Sequence, residues 1–236
     1  MKKTLLLLSL FVGFNAFSQS KNELLEHYRA YYEEMRLQGD VSGVIGALTH
    51  INILSPSQTR KDTLAFVYMN NGQHMQALNT IGVEKDPNDS DLALQVKAVS
   101  LKALGQPKRA IEQFDVLFSR EPSPYIAYEL ADLKIQTGDS KGAMTHIEYG
   151  IANATDEMKY AFYERQQPYE VALKAAFHHL KGLANFNGDA TSIDLAIVSF
   201  DEALKIAPNF NLASLSKQAL ETRKKELTQG ATEGNK

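Results

Sequence analysis

The sequence predicts an all-α fold, an array of about five stacked helical hairpins followed by one further helix at the C-terminal end. From about residue 21 to residue 227, apolar residues recur three and four positions apart, while the period-two alternation of a strand is scarce. Four glycines also recur at equal intervals, at the turns of the predicted hairpins: Gly39, Gly72, Gly105 and Gly138. An irregular helical array is the alternative, and the regular spacing of the glycines favours a repeat.

The clearest copy of the repeating unit begins at Asp91. Counted from that residue, positions 4, 8, 15, 20, 24 and 32 hold Leu94, Ala98, Gly105, Ala110, Phe114 and Pro122. Small residues at positions 8 and 20 let two helices approach closely, and a large residue at position 24 fills the space between neighbouring units. Period and pattern resemble the tetratricopeptide repeat, a helix–turn–helix unit of roughly 34 residues. The resemblance implies that the hairpins stack into an α–α superhelix.

The other units follow this register with some departures. The first spans about residues 25–58, and the second begins near residue 58, where Pro87 arrives two positions early and predicts a short second helix. The fourth begins near Pro124. The fifth pairs a helix near 171–186 with one near 192–206, and about two extra residues in its turn break the period. The tryptophan that the family carries at position 4 is absent.

Two segments near the C-terminal end lie outside the hairpins. Residues 156–168 fit no repeat position, and we predict an inserted helix there that is rich in aromatic residues (Tyr160, Phe162 and Tyr163). From Asn211 to about residue 227 we predict an amphipathic capping helix, whose polar and basic outer face is typical of a terminal cap. Residues 228–236 are predicted to be a disordered tail.

Residues 1–18 have the features of a secretory signal peptide. Lys2 and Lys3 precede an apolar run over residues 4–14, and small residues stand just before a predicted cleavage site at Gln19. The apolar run is shorter than the roughly 20 residues that a membrane-spanning helix needs. We therefore expect an exported protein, with the periplasm as the first expected location and the extracellular space as the second.

The composition limits which classes of binding partner and which kinds of catalytic or metal site are expected. Without Lys2 and Lys3, 23 basic side chains stand against 28 acidic ones, a net charge of −5 that argues against a nucleic-acid partner. The absence of cysteine excludes disulfides, thiol nucleophiles and thiolate metal sites. It also leaves no cysteine after the signal to carry a lipid, so we expect no stable membrane insertion once the signal is removed.

The sequence offers no recognisable catalytic or phosphate-binding motif. It contains no Gly-x-Ser-x-Gly, His-Glu-x-x-His, Gly-x-x-x-x-Gly-Lys or Gly-x-Gly-x-x-Gly pattern. His178 and His179 are adjacent, but neighbouring residues point about 100° apart on a helix and do not form a metal pair. We predict a protein without enzymatic activity, cofactor or metal. An envelope enzyme that uses His178, His179 or Asp132 is the alternative.

The family resemblance also implies where a partner binds. In tetratricopeptide repeats, positions 2, 5, 9 and 12 of each first helix line a concave groove. The predicted partner-binding residues are Arg29, Glu33, Asp62, Phe66, Gln95, Val99, Tyr125, Tyr128, Asp132, His179 and Phe186, and the same register adds Arg36, Met69, Lys102, Ile135 and Leu183. Helically spaced aromatic residues are also typical of a core, so both interpretations stay open for them. The groove lacks the Lys/Asn/Arg set with which chaperone-binding relatives hold a terminal carboxylate.

These observations favour a protein–protein interaction scaffold. The expected ligand is an extended peptide or a partner helix held in the groove by apolar anchors. A structural accessory subunit of a cell-envelope assembly or secretion complex is the alternative, with the aromatic insertion or the convex face as its contact. Homo-oligomerisation is left open, because end helices of such arrays can stack on one another.

Overall fold

The computed structural model of this protein describes residues 20–188 and 191–233. Within these residues there are eleven helices and one antiparallel pair of strands. They belong to two compact units, one ending at Val83 and the other beginning at Glu84, and each is described by itself. The predicted signal peptide, residues 1–18, lies outside the described residues.

Unit 1 consists of two helical hairpins. Its helices are α1 (Lys21–Gln38), α2 (Val41–Leu54), α3 (Gln58–Asn70) and α4 (His74–Ile81). Helix α1 packs on α2, α2 on α3, and α3 on α4. Ser20 and Glu23 cap α1 reciprocally, each accepting a hydrogen bond from the backbone N–H of the other. Helix α4 has only eight residues, as the early position of Pro87 predicts.

Unit 2 consists of three helical hairpins, one β-hairpin and a final helix. Its elements are α5 (Asp91–Ala103), α6 (Pro107–Arg120), α7 (Pro124–Gln136), α8 (Ser140–Asn153), β1 (Lys159–Phe162), β2 (Tyr169–Ala172), α9 (Leu173–Gly188), α10 (Ile193–Ile206) and α11 (Asn211–Glu233). Each helix packs on the next along the chain. The predicted fold class, about five helical hairpins with a capping helix, is confirmed.

The four turn glycines adopt the conformation that their regular spacing predicts. Their φ angles are 71° at Gly39, 72° at Gly72, 69° at Gly105 and 84° at Gly138. Residues with a Cβ atom are strained in this left-handed region, whereas glycine is not. These glycines therefore end the first helix of four hairpins at a fixed position.

Glycines inside helices serve close packing instead. A Cβ atom added to Gly150 in α8 would overlap the ring of the fully buried Phe177 in α9, and one added to Gly182 in α9 would overlap the ring of Phe200 in α10. Gly182 and Phe200 occupy positions 8 and 24 of the fifth unit. Their contact is the small-to-large packing that the repeat pattern predicts.

This packing predicts opposite effects of one substitution at two helical glycines. Gly150→Ala is expected to lower the free energy of unfolding by about 1–3 kcal/mol, because Phe177 must move within a packed core. Gly46→Ala in α2 is the matched control, since no atom lies within 4 Å of the added Cβ. It should raise stability by up to about 1 kcal/mol through helix propensity. Urea unfolding of both variants measures this, and equal effects at the two positions would contradict the packing.

The aromatic insertion is not a helix. The predicted helix over 156–168 is wrong, because β1 and β2 form an antiparallel hairpin there, with Tyr160 opposite Val171 and Phe162 opposite Tyr169. These four side chains share one face of the hairpin, and they pack with the core of unit 2. The alternation of large apolar and small or charged residues in both strands is the period-two pattern of a half-buried sheet.

The C-terminal helix also differs from its predicted extent and orientation. Helix α11 continues to Glu233, so the expected disordered tail over 228–236 is wrong for residues 228–233; residues 234–236 lie outside the described part of the chain. The basic face does not point only to solvent. Lys217 lies 2.6 Å from Asp201 and Lys224 lies 2.5 Å from Asp194, so two lysines pair with carboxylates of α10.

Candidate partner-binding surface

In unit 1, two of the predicted residues line a pocket of about 290 Å³. Phe66 lines the pocket from α3, and Arg36 lines it from the last turn of α1. The remaining lining residues are Gly39, Val41, Val44, Val67, Asn70 and Asn71. Apolar walls with a few polar groups at the rim are typical of a surface that accepts an apolar side chain. The first-helix register therefore places Arg36 and Phe66 beside a real concavity.

Two predicted groove arginines of unit 1, Arg29 and Arg36, form ion pairs within α1. Arg36 donates two hydrogen bonds to Glu33 Oε2, at 3.1 and 2.9 Å, and this carboxylate raises the pKa of Arg36. Arg29 donates to Glu26 at 2.7 Å. Both arginines remain exposed, so a ligand can reach them.

Asp62 does not lie on an open surface. Its side chain is buried, and it accepts a hydrogen bond from Gln58 Nε2 at 2.9 Å. Met69, which the same register also places in the groove, is buried as well. The prediction that Asp62 lines an open groove is therefore wrong, because α3 turns this side chain into unit 1.

In unit 2, the exposed predicted residues lie on α5 and α7. Gln95 and Tyr125 are exposed, and Val99 is half-buried. Asp132 is half-buried and accepts a hydrogen bond from Gln136 Nε2 at 2.9 Å. Its role in binding stays a prediction, as do those of Gln95, Val99 and Tyr125.

A network that includes Glu129 connects α5 with α7. Lys102 Nζ lies 2.5 Å from Glu129 Oε2 and 3.7 Å from Asp132 Oδ2. Burial raises the pKa of Asp132, and Lys102 opposes this shift. The repeat pattern did not identify Glu129 as a groove residue, because Glu129 stands at position 6 of its unit, beside the positions that the family pattern assigns to the groove.

The β1–β2 hairpin covers Tyr128. The ring of Tyr160 lies 4.0 Å from the ring of Tyr128, and the Tyr160 hydroxyl donates to Glu129 Oε1 at 2.9 Å. Tyr128 is only 4% exposed, and burial raises its pKa and that of Tyr160. The expectation that Tyr128 lines an open groove is therefore wrong, since the hairpin lies where a ligand would contact it.

His179 and Phe186 pack beneath the capping helix. His179 is 6% exposed, and its Nε2 lies 3.2 Å from Ser216 Oγ of α11. Its ring also contacts Phe200 and Phe210, at centroid distances of 5.5 and 5.2 Å. Phe186 is half-buried, with the guanidinium of Arg223 5.3 Å from its ring. The prediction of His179 as an open groove residue is wrong, and Phe186 is partly covered.

Burial of His179 predicts a pH-dependent stability. Burial lowers its pKa from 6.5 to about 4, so the unfolded chain binds a proton more readily than the folded chain between these values. The neutral ring's contribution, roughly 3 kcal/mol, is complete above pH 6.5 and is lost as the pH falls toward 4. Burial lowers the pKa values of His146 and His178 too, which adds to the same trend.

Urea unfolding between pH 7 and pH 4 measures this contribution. His179→Leu should flatten the decline in unfolding free energy relative to the wild type over that range. Carboxylates titrate in both chains, so the difference between the two curves isolates the histidine. Parallel curves would contradict the assignment.

Neither a membrane span nor a metal site is found in the described part of the chain. No described helix combines the length and apolar character needed to cross a membrane. Among the same residues, no group of three or more His, Asp or Glu side chains is arranged to hold a metal ion.

The backbone is similar to those of solved helical-repeat structures. The crystal structure of YrrB, described as a TPR protein with an unusual peptide-binding site, has a TM-score of 0.63 at 14% sequence identity, over 81% of this chain and 90% of that one. The chain has a tetratricopeptide-repeat fold. The MamA protein has a TM-score of 0.59 at 17% identity, over 78% of this chain and 92% of MamA.

A further match extends the similarity to one part of a larger protein. A chain of the APC/C hetero-tetramer Cut9–Hcn1 has a TM-score of 0.52 at 16% identity, covering 82% of this chain and 35% of that one. No protein-family model and no curated protein matches this chain in sequence. At identities of 14–17%, the similarity shows a shared backbone arrangement alone.

Proposed function

We propose that this chain is an exported, non-enzymatic scaffold that binds an extended peptide or a partner helix on the first helices of unit 1, beside the pocket that α1, α2 and α3 line. The observation that carries the proposal is the pocket beside Phe66 and Arg36 in unit 1. The description of YrrB as a peptide-binding TPR protein is consistent with this use of the fold. A pocket of about 290 Å³ holds one large apolar side chain of a ligand, while Arg36 offers a charged contact at its rim.

Substitution of Phe66 by aspartate tests the proposal. The tagged chain is crosslinked mildly in its native envelope, and the proteins that co-purify are identified by mass spectrometry. We expect Phe66→Asp to lose a dominant partner, because a charge would occupy the apolar pocket. Ile53→Asp is the matched control, since Ile53 is an exposed apolar residue on the second helix of the first hairpin.

Retention of that partner by Phe66→Asp would set aside the pocket as the binding site. Tyr128 and His179 are not used in this test, because their burial would make substitution a test of stability. Circular dichroism of both variants checks that they fold equally well.

Export is part of the proposal and has its own test. Cell fractionation followed by N-terminal sequencing should find the mature chain in the periplasm, beginning at Gln19, if the segment 1–18 acts as a signal peptide. Recovery of the unprocessed chain from the cytoplasm would overturn this part. Recovery of the processed chain from the medium would favour the extracellular location.

A structural accessory subunit is the second candidate, and exposed apolar residues at the C-terminal end favour it. Leu195 and Val198 of α10 and Leu215 of α11 are each more than half exposed. Leu195 and Val198 lie one turn apart on α10, and adjacent exposed apolar residues mark protein contacts more often than isolated surface leucines do. A subunit should co-purify in a fixed ratio with a large complex, and Leu195→Asp with Val198→Asp should release it while Phe66→Asp should not.

A further inference from the structure

The β1–β2 hairpin has two outer edges. The backbone N–H and C=O groups along these edges are not paired with any further strand in the described part of the chain. The N–H of Leu173 donates to the carbonyl oxygen of Met158 at 2.8 Å, which makes these two residues a hydrogen-bonded pair at the base of the hairpin. Such pairs alternate along an antiparallel ladder. Tyr160 and Phe162 therefore direct their N–H and C=O groups toward β2, whereas Lys159 and Ala161 direct theirs away from it.

The outward edges of β1 and β2 have two residues each within the strands, but only that of β1 can continue beyond its strand. Alternation extends the outward row of β1 from Lys159 and Ala161 to Tyr163, which is 74% exposed. On β2, the corresponding row is limited by Pro168, which has no N–H, and by the start of α9 at Leu173. The β1 edge thus offers consecutive donors and acceptors at every second residue.

The hairpin holds this edge in place. Phe162 packs on Phe210, with ring centroids 4.8 Å apart, and Tyr160 packs on Tyr128. At the tip, Arg165 donates to Asn211 Oδ1 at 2.5 Å. The edge is therefore ordered before any ligand arrives, which lowers the entropy that binding must overcome.

We infer that the outward edge of β1, over Lys159, Ala161 and Tyr163, is a binding site for an extended peptide that adds to the hairpin as a third strand. The peptide carries apolar residues at alternate positions, because the residues beside Tyr160 and Phe162 share their inward face. The inference rests on the proposed function, and it names main-chain pairing as a mode of recognition separate from the pocket in unit 1.

Proline substitutions on the two edges test this site. The probes are synthetic dodecapeptides, selected from a phage-displayed random library against the wild-type chain and titrated by calorimetry. Ala161→Pro removes an outward N–H of β1 and leaves the β1–β2 ladder intact, as edge strands tolerate. Glu170→Pro does the same on β2, directly opposite. We expect Ala161→Pro to weaken binding at least about tenfold and Glu170→Pro to leave it unchanged.

Amide hydrogen exchange in the wild-type chain gives a second readout that needs no variant. On binding, the amides of Lys159 and Ala161 should exchange at least about tenfold more slowly, whereas those of Tyr160 and Phe162, already bonded to β2, should change little. No slowing at Lys159 and Ala161 overturns the site, even where both proline variants bind poorly.

The remaining outcomes distinguish a failure of the strand site from a failure of the proposed function. Peptides that bind Ala161→Pro normally but lose affinity for Phe66→Asp overturn the strand site and retain the pocket. A library that yields no binder overturns both.

Discussion

Lys97→Met is expected to lower the free energy of unfolding by about 3–5 kcal/mol, the cost of leaving a buried carboxylate without its cation. Lys97 is 2% exposed, and its Nζ lies 2.5 Å from Asp89 Oδ2 and 2.8 Å from the carbonyl oxygen of Glu84. Methionine has a similar length and keeps much of the packing. The loss therefore measures the carboxylate of Asp89 without its cation, which keeps a hydrogen bond from the N–H of Asp86, and the released carbonyl of Glu84.

The substitution should also loosen the segment that leads into α5. Residues 84–90 are held to the rest of unit 2 by Lys97, by Arg109 and by Arg120. Arg109 donates to the carboxylate of Glu84 at 2.9 Å, and Arg120 donates to the carbonyl oxygen of Asp89 at 2.8 Å and to the carboxylate of Asp91 at 2.7 Å. With Lys97 replaced, the surface contacts of Arg109 and Arg120 remain, and such contacts contribute little to stability in water. Amides of residues 84–90 should exchange faster than those inside α5.

Urea unfolding of Lys97→Met, with Asp89→Asn in the same chain as the control, measures the effect. The double variant should recover part of the loss, because asparagine removes the uncompensated charge. A change below about 1 kcal/mol in the single variant would contradict a buried ion pair at this position.

Phe162→Ala is expected to lower the free energy of unfolding by about 3 kcal/mol, the usual cost of removing a large buried aromatic side chain. Phe162 is buried against Phe210, Tyr160 and Tyr169. Its contact with Phe210 joins the hairpin to the loop before α11. Its removal leaves a cavity and exposes part of this aromatic cluster to water.

Tyr163→Ala is the matched control, since Tyr163 is the next residue along the chain and points to solvent. It should change stability by less than about 0.5 kcal/mol. Tyrosine fluorescence during urea unfolding follows both variants. Equal losses at the two positions would mean that the hairpin does not alternate between a buried and an exposed face.

The predicted groove shows that the sequence identifies residues on the first helices but not which of them are exposed. Repeat positions identify residues on the first helices, and Phe66 and Arg36 do line a pocket. The same positions name Tyr128 and His179, which are buried. A position in a repeat gives the direction of a side chain on its own helix, but it carries no information on what packs over that helix.

The aromatic insertion was predictable in part. Tyr160 and Phe162 alternate with Lys159 and Ala161, and Tyr169 and Val171 alternate with Glu170 and Ala172, around a polar segment that ends at Pro168. This is a hairpin signal, although both runs are short. Where the hairpin docks depends on Tyr128 and Phe210, which are distant in sequence, and no local pattern predicts those contacts.

The sequence by itself determined the repeat. The turn glycines act through local backbone sterics, so the conformations of Gly39 and Gly105 follow from the residue pattern alone. The contact of Gly182 with Phe200 lies within one repeat unit, so the pattern of small and large positions predicts it as well. Only the tertiary structure decided which surface stays open. That depends on side chains far apart along the chain, such as Tyr128 with Tyr160 and His179 with Ser216, which meet because the folded helices bring them together.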